Sequence, residues 1–140
     1  MERNTPATQN PNWGFVIPLE EAALESAQKL CGLEFSPMFL DFLKRTNNAI
    51  PPKRNFYIGQ ENYTFKNVLN FNMEGKCTFA FFMQKLKAHL EAQEIFFGSD
   101  GYGGLFILDT ASDQVLFLDT DTGVKKPLLS FDLLLKKLES

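Results

Sequence analysis

Leu105-Phe106-Ile107-Leu108-Asp109 and Val115-Leu116-Phe117-Leu118-Asp119 are two apolar runs, each closed by an aspartate. Neither alternates apolar with polar residues, and unbroken runs of this length suit strands buried on both faces of a sheet flanked by helices. The five residues Thr110-Ala111-Ser112-Asp113-Gln114 between them read as a hairpin loop. A loop centred near Ser112 pairs Asp109 with Val115, Ile107 with Phe117 and Leu105 with Asp119, and places Gly103 beside Asp121. Upstream, Ile95-Phe96-Phe97 reads as another short strand leading into the glycine-rich turn Gly98-Ser99-Asp100-Gly101-Tyr102-Gly103-Gly104. Downstream, Ser130 to Leu138 reads as a capped amphipathic helix.

Further out, helical spacing from Leu19 to about Cys31 puts Leu19, Ala22, Ala23, Ala27 and Leu30 on one face, with Gly32 as the stop. Glu20 and Glu21 occupy the first turn, where the helix dipole favours negative charge. Ser36-Pro37 opens a second helix with Phe39, Phe42 and Leu43 as its buried stripe. Thr46 to Pro52 is a loop. Phe56–Ile58 and Tyr63–Phe65 flank Gly59-Gln60-Glu61-Asn62 as a hairpin, and Val68–Phe71 is a further short strand. Thr78 to His89 is helical again, with Phe79, Phe82, Met83, Leu86 and Leu90 inward. Trp13 to Ile17 is expected to cover one edge of the core. The order predicts an α+β single domain, a mostly antiparallel sheet of about six strands flanked by helices, over residues 13–140, with residues 1–12 a disordered tail.

At 140 residues and 44% hydrophobic, with 15 Phe, the chain can bury one core unaided. No apolar run approaches the ~20 residues that span a bilayer. The polar start has no signal-peptide core, so the expected location is the cytoplasm. The net charge of −3 is unevenly spread: Lys and Arg are absent between Ala88 and Val124, where Glu91, Glu94, Asp100, Asp109, Asp113, Asp119 and Asp121 all fall. Such a segment repels nucleic acid and attracts a basic partner.

The hairpin register sorts these aspartates. Asp109 and Asp113 lie at the loop end. Asp100, Asp119 and Asp121 converge with Tyr102 at the other end, ~14 Å away at ~3.4 Å per residue. Three carboxylates and a tyrosine around glycines, which let another chain approach the backbone, make a candidate partner-binding site. The same residue types are also the standard turn formers, their side chains capping local amides.

Other chemistries fit poorly. Cys31, Cys77 and His89 are too few for a four-ligand zinc site. The two cysteines read as buried small hydrophobes, although their spacing leaves a disulfide open. Asp119-Thr120-Asp121-Thr122-Gly123 lacks the third alternate ligand and the acidic twelfth position of a calcium loop, where Ser130 stands. A strand rather than a helix follows the glycines, which argues against a phosphate loop. His89, the single histidine, has no nucleophile motif to serve. No metal or cofactor is expected, while paired carboxylates for glycosidase-type chemistry stay open on the residues alone.

Taken together, these parts resemble the SUKH superfamily across Leu19 to Leu138. The resemblance rests on Phe35-Ser36-Pro37, Phe39, Phe42-Leu43 and Asn47-Asn48, then on Ile95, Phe97, Asp100, Gly103 and Asp109. Val115–Asp119, Ser130-Phe131 and the Leu-rich last helix complete it. Asn48 stands where the family usually has Gly, and Phe96 where it usually has Pro. The resemblance implies a bacterial immunity protein that binds and neutralises a cognate toxin, often a nuclease, in its own cytoplasm, a non-enzymatic protein with no catalytic residues. A regulatory scaffold module that binds a cellular protein is the alternative. Asp100, Asp119 and Asp121 would pair with basic toxin residues, with Tyr102 as an aromatic anchor.

Overall fold

The computed structural model describes residues 13–72 and 78–139. Helix α1 spans Glu21–Cys31 and α2 spans Pro37–Thr46. Strands β1 (Asn55–Ile58) and β2 (Glu61–Thr64) form a hairpin, and β3 (Asn67–Val68) follows. Helix α3 (Phe79–Leu86) runs into a 3-10 turn at Lys87–His89. Strands β4 (Glu94–Ser99), β5 (Gly104–Asp109), β6 (Gln114–Asp119) and β7 (Lys125–Ser130) then lead to α4 (Phe131–Glu139). One antiparallel sheet has the order β3-β4-β5-β6-β7, and β1-β2 is a separate two-stranded sheet. The result is a single α+β domain.

The helix signals act where they were read. Ser36 Oγ accepts the Phe39 N–H at 3.2 Å, Pro37 is the first residue of α2, and Phe39, Phe42 and Leu43 are buried. Ser130 Oγ accepts the Leu133 N–H at 3.2 Å, and Phe131, Leu134 and Leu138 form the inner face of α4. Gly32 adopts a left-handed conformation (φ 69°) and closes α1.

Strands β4 and β5 are buried from end to end except for their last residues. Their apolar continuity is explained by cover on both sides. Phe106 faces the β1–β2 hairpin, with ring centroids 6.3 Å from Phe56 and 5.1 Å from Phe117. Phe97 meets Phe39, Phe42 and Phe131 of α2 and α4. Strand β6 is less enclosed, with Leu116 and Phe117 half-buried.

The expected α+β fold with antiparallel strands is present; its seven described strands lie in two sheets, and the one not read in the sequence is Lys125–Ser130, which pairs with β6. Its Lys-Lys-Pro start hid it, since proline and lysine are characteristic of a sheet's edge strands, which β7 is, rather than of its central ones. Several expectations need correction. The β5–β6 register differs by one residue from the predicted one: Gly104 pairs with Asp119 and Asp109 with Gln114. The loop has four residues, because Asp113 turns the chain in a left-handed conformation (φ 59°) and Gln114 already enters the strand. The first hairpin likewise turns on Gly59-Gln60 alone, with Glu61 already in β2. On α1, Leu24 is buried and Ala22 is exposed.

Trp13 is buried, but Phe15 is 77% exposed, with Val16 and Ile17 also exposed, so this segment covers the core with one side chain only. It is anchored by the backbone pair Gly14–Ile50 and by Asn47, whose amide donates to the Ile17 carbonyl at 3.1 Å. The expected tail at residues 1–12 and Cys77 lie outside the described residues.

Two charged clusters pin the sheets. Lys126 Nζ and Tyr63 Oη each lie 2.8 Å from Glu61 Oε1, tying β7 to the hairpin. The Lys126 hydrogen bond holds the Glu61 carboxyl below its ordinary value, and the same bond holds the Lys126 ammonium above its own. Lys125 Nζ donates to the His89 carbonyl at 2.8 Å and to Glu94 Oε1 at 2.6 Å, where Glu94 is buried. Glu94 is therefore the paired anion of an internal bridge and contributes nothing to an acidic surface.

Candidate functional site at the acidic end of the sheet

Two turns meet at one end of the five-stranded sheet. The first links β4 to β5 through Asp100–Gly103, and the second links β6 to β7 through Thr120–Val124. The Gly104–Asp119 pair sets them side by side. Thr120 crosses between them, donating to the Gly103 carbonyl from its N–H at 3.0 Å and from its hydroxyl at 2.6 Å. The one-residue register difference leaves this convergence intact, because both turns sit at the same strand ends in either pairing.

Within the site the aspartates have different tasks. Asp100 Oδ1 accepts the Tyr102 N–H at 2.7 Å and the Gly104 N–H at 2.8 Å. Asp119 Oδ1 accepts the Asp121 N–H at 2.9 Å. Asp100 and Asp119 thus each cap a turn through one carboxylate oxygen, Oδ1. The Asp121 side chain is exposed and takes no hydrogen bond from the described residues. Tyr102 is 82% exposed, the most exposed large apolar side chain among the described residues.

The opposite end of the hairpin differs. Asp109 Oδ1 accepts the Ala111 and Ser112 N–H groups at 2.9 and 3.3 Å, and its Oδ2 accepts from Gln93 at 3.3 Å. Asp109 is a turn residue with both oxygens engaged. Its neighbour Asp113 is exposed.

Sequence reasoning missed a cleft beside the first turn. A cavity of about 300 Å³ is lined by Leu69, Phe82, Leu86 and Leu105, by the polar Lys66, Asn67, Ser99 and Thr120, and by the turn glycines. Its walls come from four separated stretches of chain, so no local pattern announces it. A second cavity, of about 390 Å³, is lined by Cys31, Met83, Leu90 and Glu94. Burial pushes the Cys31 thiol up to about 12, against the smaller opposing pull of Lys87, so the group stays protonated at neutral pH. Among the described residues, no group of three or more His, Cys, Asp or Glu is placed to hold a metal ion, and no helix is long and apolar enough to cross a membrane.

The architecture defines an α+β domain with a five-stranded antiparallel sheet and an acidic, glycine-rich sheet end. A family model described as SUKH_6, SMI1-KNR4 cell-wall, matches residues 21–130, and the chain belongs to this family. The match runs from the first residue of α1 to the last of β7. No curated protein matches the chain.

Proposed function

We propose that this protein is a bacterial immunity protein, acting in the cytoplasm without catalysis of its own, that neutralises a cognate toxin by binding it at the acidic sheet end. The toxin is expected to be a nuclease of a polymorphic or contact-dependent system. Membership of the SUKH family is compatible with that role. The observation that carries the reading is the grouping of Asp100, Asp119 and Asp121 with an 82% exposed Tyr102 on two cross-tied turns. A nuclease must hold a polyanion, so its working surface is basic, and an acidic patch complements it. Held on turns that are already ordered, Tyr102 would lose little freedom on binding.

The test is binding and growth protection against the toxin domain encoded beside the gene. Asp100→Asn and Asp119→Asn keep the acceptor that caps each turn while removing the charge, and Asp121→Lys reverses a side chain with no structural bond. The triple variant should associate about tenfold or more slowly at low salt, with a smaller difference at high salt. Tyr102→Ala should chiefly speed dissociation. Asp113→Lys at the far end is the control. If it weakens binding as much as the triple variant, with melts unchanged, the site is at the wrong end of the sheet.

His89→Ala should leave protection unchanged. The contact that His89 makes to Lys125 uses its backbone carbonyl, which alanine retains. Loss of protection by a normally folded variant would require a catalytic reading instead. The family's description as a cell-wall group favours the second candidate role, a regulatory scaffold. A toxin-encoding gene beside this one supports immunity, and its absence favours the scaffold.

A further inference from the structure

The cavity of about 390 Å³ lies between α1, α3 and the start of β4. Cys31 closes α1 and Leu33 follows it, Met83 belongs to α3, Leu90 and Ala92 lie on the connection after the 3-10 turn, and Glu94 opens β4. Leu33, Met83, Leu90 and Ala92 supply the apolar wall, and methionine is a side chain that adapts to what it packs against. Four further polar side chains border the space, and each is accounted for. Lys87 Nζ donates to the Leu30 carbonyl at 3.2 Å, and Gln93 Nε2 donates to Asp109 Oδ2 at 3.3 Å. Glu91 is exposed to solvent, and the Cys31 thiol stays protonated.

Glu94 is different. Its side chain is only 5% exposed. The carboxylate is fixed from two directions, by the Glu91 N–H at 2.9 Å and by Lys125 Nζ at 2.6 Å, and both bonds fall on Oε1. Oε2 accepts no hydrogen bond from the described residues. A buried acceptor without a donor is costly, and one that borders a cavity is met by what the cavity holds. An ordered water wants about two to four polar partners, which the wall of Leu33, Met83 and Leu90 does not offer.

Charge narrows the class of occupant. A cation on Oε2 would face Lys125 on the same carboxylate and Lys87 at the cavity wall. An anion would face Glu94 itself and Glu91. We propose that this cavity binds a small uncharged molecule with an apolar body and one O–H or N–H donor, the donor directed to Glu94 Oε2 and the body packed on Met83 and Leu90. The volume falls within the range of small-molecule pockets. None of Asp100, Tyr102, Asp119 and Asp121 lines it, so the site stands or falls apart from the toxin reading.

Phenol and anisole test it on the full chain by NMR titration, because they share a ring and differ in the donor. Phenol should bind saturably, shift the Met83 and Leu90 methyl resonances and the Glu94 amide, and bind about tenfold more tightly than anisole. Glu94→Gln keeps an acceptor for Lys125 and Glu91 but puts an N–H donor in place of Oε2, so it should abolish the advantage of phenol. Leu90→Trp, which fills the cavity, should abolish binding of both. Thermal melts show which variants fold, and the comparison on the unaltered chain decides where they do not. Equal binding of the two compounds overturns the proposal, because the donor then selects nothing. Absence of saturable phenol binding, or shifts confined to other residues, overturns it as well and leaves a cavity that holds water only. Full preference for phenol in a folded Glu94→Gln, or undiminished binding in a folded Leu90→Trp, places the ligand elsewhere and has the same consequence.

Discussion

Replacing Phe39 with alanine should lower the unfolding free energy by about 3–5 kcal/mol. Phe39 is 1% exposed, and its ring centroid lies within 6.4 Å of those of Phe35, Phe42, Phe71, Phe97 and Phe131. These neighbours come from the α1–α2 loop, α2 itself, the segment after β3, β4 and α4, so the ring is where the layers of the core meet. Truncation removes its transfer free energy and leaves a cavity that five constrained rings cannot close. Four of those rings meet it edge-on, an arrangement favoured by the aromatic quadrupole and unavailable to an aliphatic replacement. Urea unfolding followed by the fluorescence of Trp13, the single tryptophan, measures the loss. That indole packs 6.1 Å from Phe42 and reports on the same cluster. Phe39→Leu should cost less than the alanine variant, because it retains most of the volume. A loss below about 1 kcal/mol for Phe39→Ala would contradict this core.

Asn47→Ala should cost about 2–4 kcal/mol, although it removes no large apolar surface. Asn47 is fully buried just after α2. Its Oδ1 accepts the N–H of buried Phe71 at 2.7 Å, and its Nδ2 donates to the Ile17 carbonyl at 3.1 Å and to Asn70 Oδ1 at 3.0 Å. One side chain thus holds the N-terminal segment, the end of α2 and the chain after β3. Alanine leaves the Phe71 N–H without its partner where water does not reach, and that desolvation supplies most of the cost. Asn47→Asp keeps the acceptor for Phe71 but loses both donors and places a charge in the interior, so it should not rescue stability. Amide exchange at Phe71 distinguishes this mechanism from general loosening: it should rise in Asn47→Ala more than exchange in β5 does. Equal acceleration throughout the sheet would overturn the assignment of Asn47 as a local tie.

The residues that carry the family resemblance prove to be mostly structural, which explains why they point to a fold more clearly than to a partner. Asn47 is the buried tie. Asn48 adopts a left-handed conformation (φ 67°), where glycine is the usual family residue and asparagine is among the side chains that tolerate it best. Asp100 and Asp109 cap turns, and Gly103 has φ 93°. Gly104 admits no side chain, because a Cβ there would enter the Phe117 ring.

Local chemistry determined much of this protein. The caps at Ser36 and Ser130, the stop at Gly32 and the apolar runs Leu105–Leu108 and Val115–Leu118 act within a few residues of themselves, so their readings as caps, stop and strands needed no knowledge of the rest of the chain. The grouping of Asp100, Asp119, Asp121 and Tyr102 at one sheet end was equally legible, because it depends only on β5 and β6 being a hairpin. Tertiary structure decided the rest. The β5–β6 register turned on one backbone angle at Asp113, and β7 formed because β6 offered a free edge to a sequence with weak strand propensity. Glu94 was withdrawn from the surface by Lys125, 31 residues away. The cleft exists because Phe82 and Leu86 of α3, Leu69 after β3 and Leu105 of β5 come to line one space. Burial and long-range pairing depend on which distant side chains share a volume, and a local pattern holds no record of that.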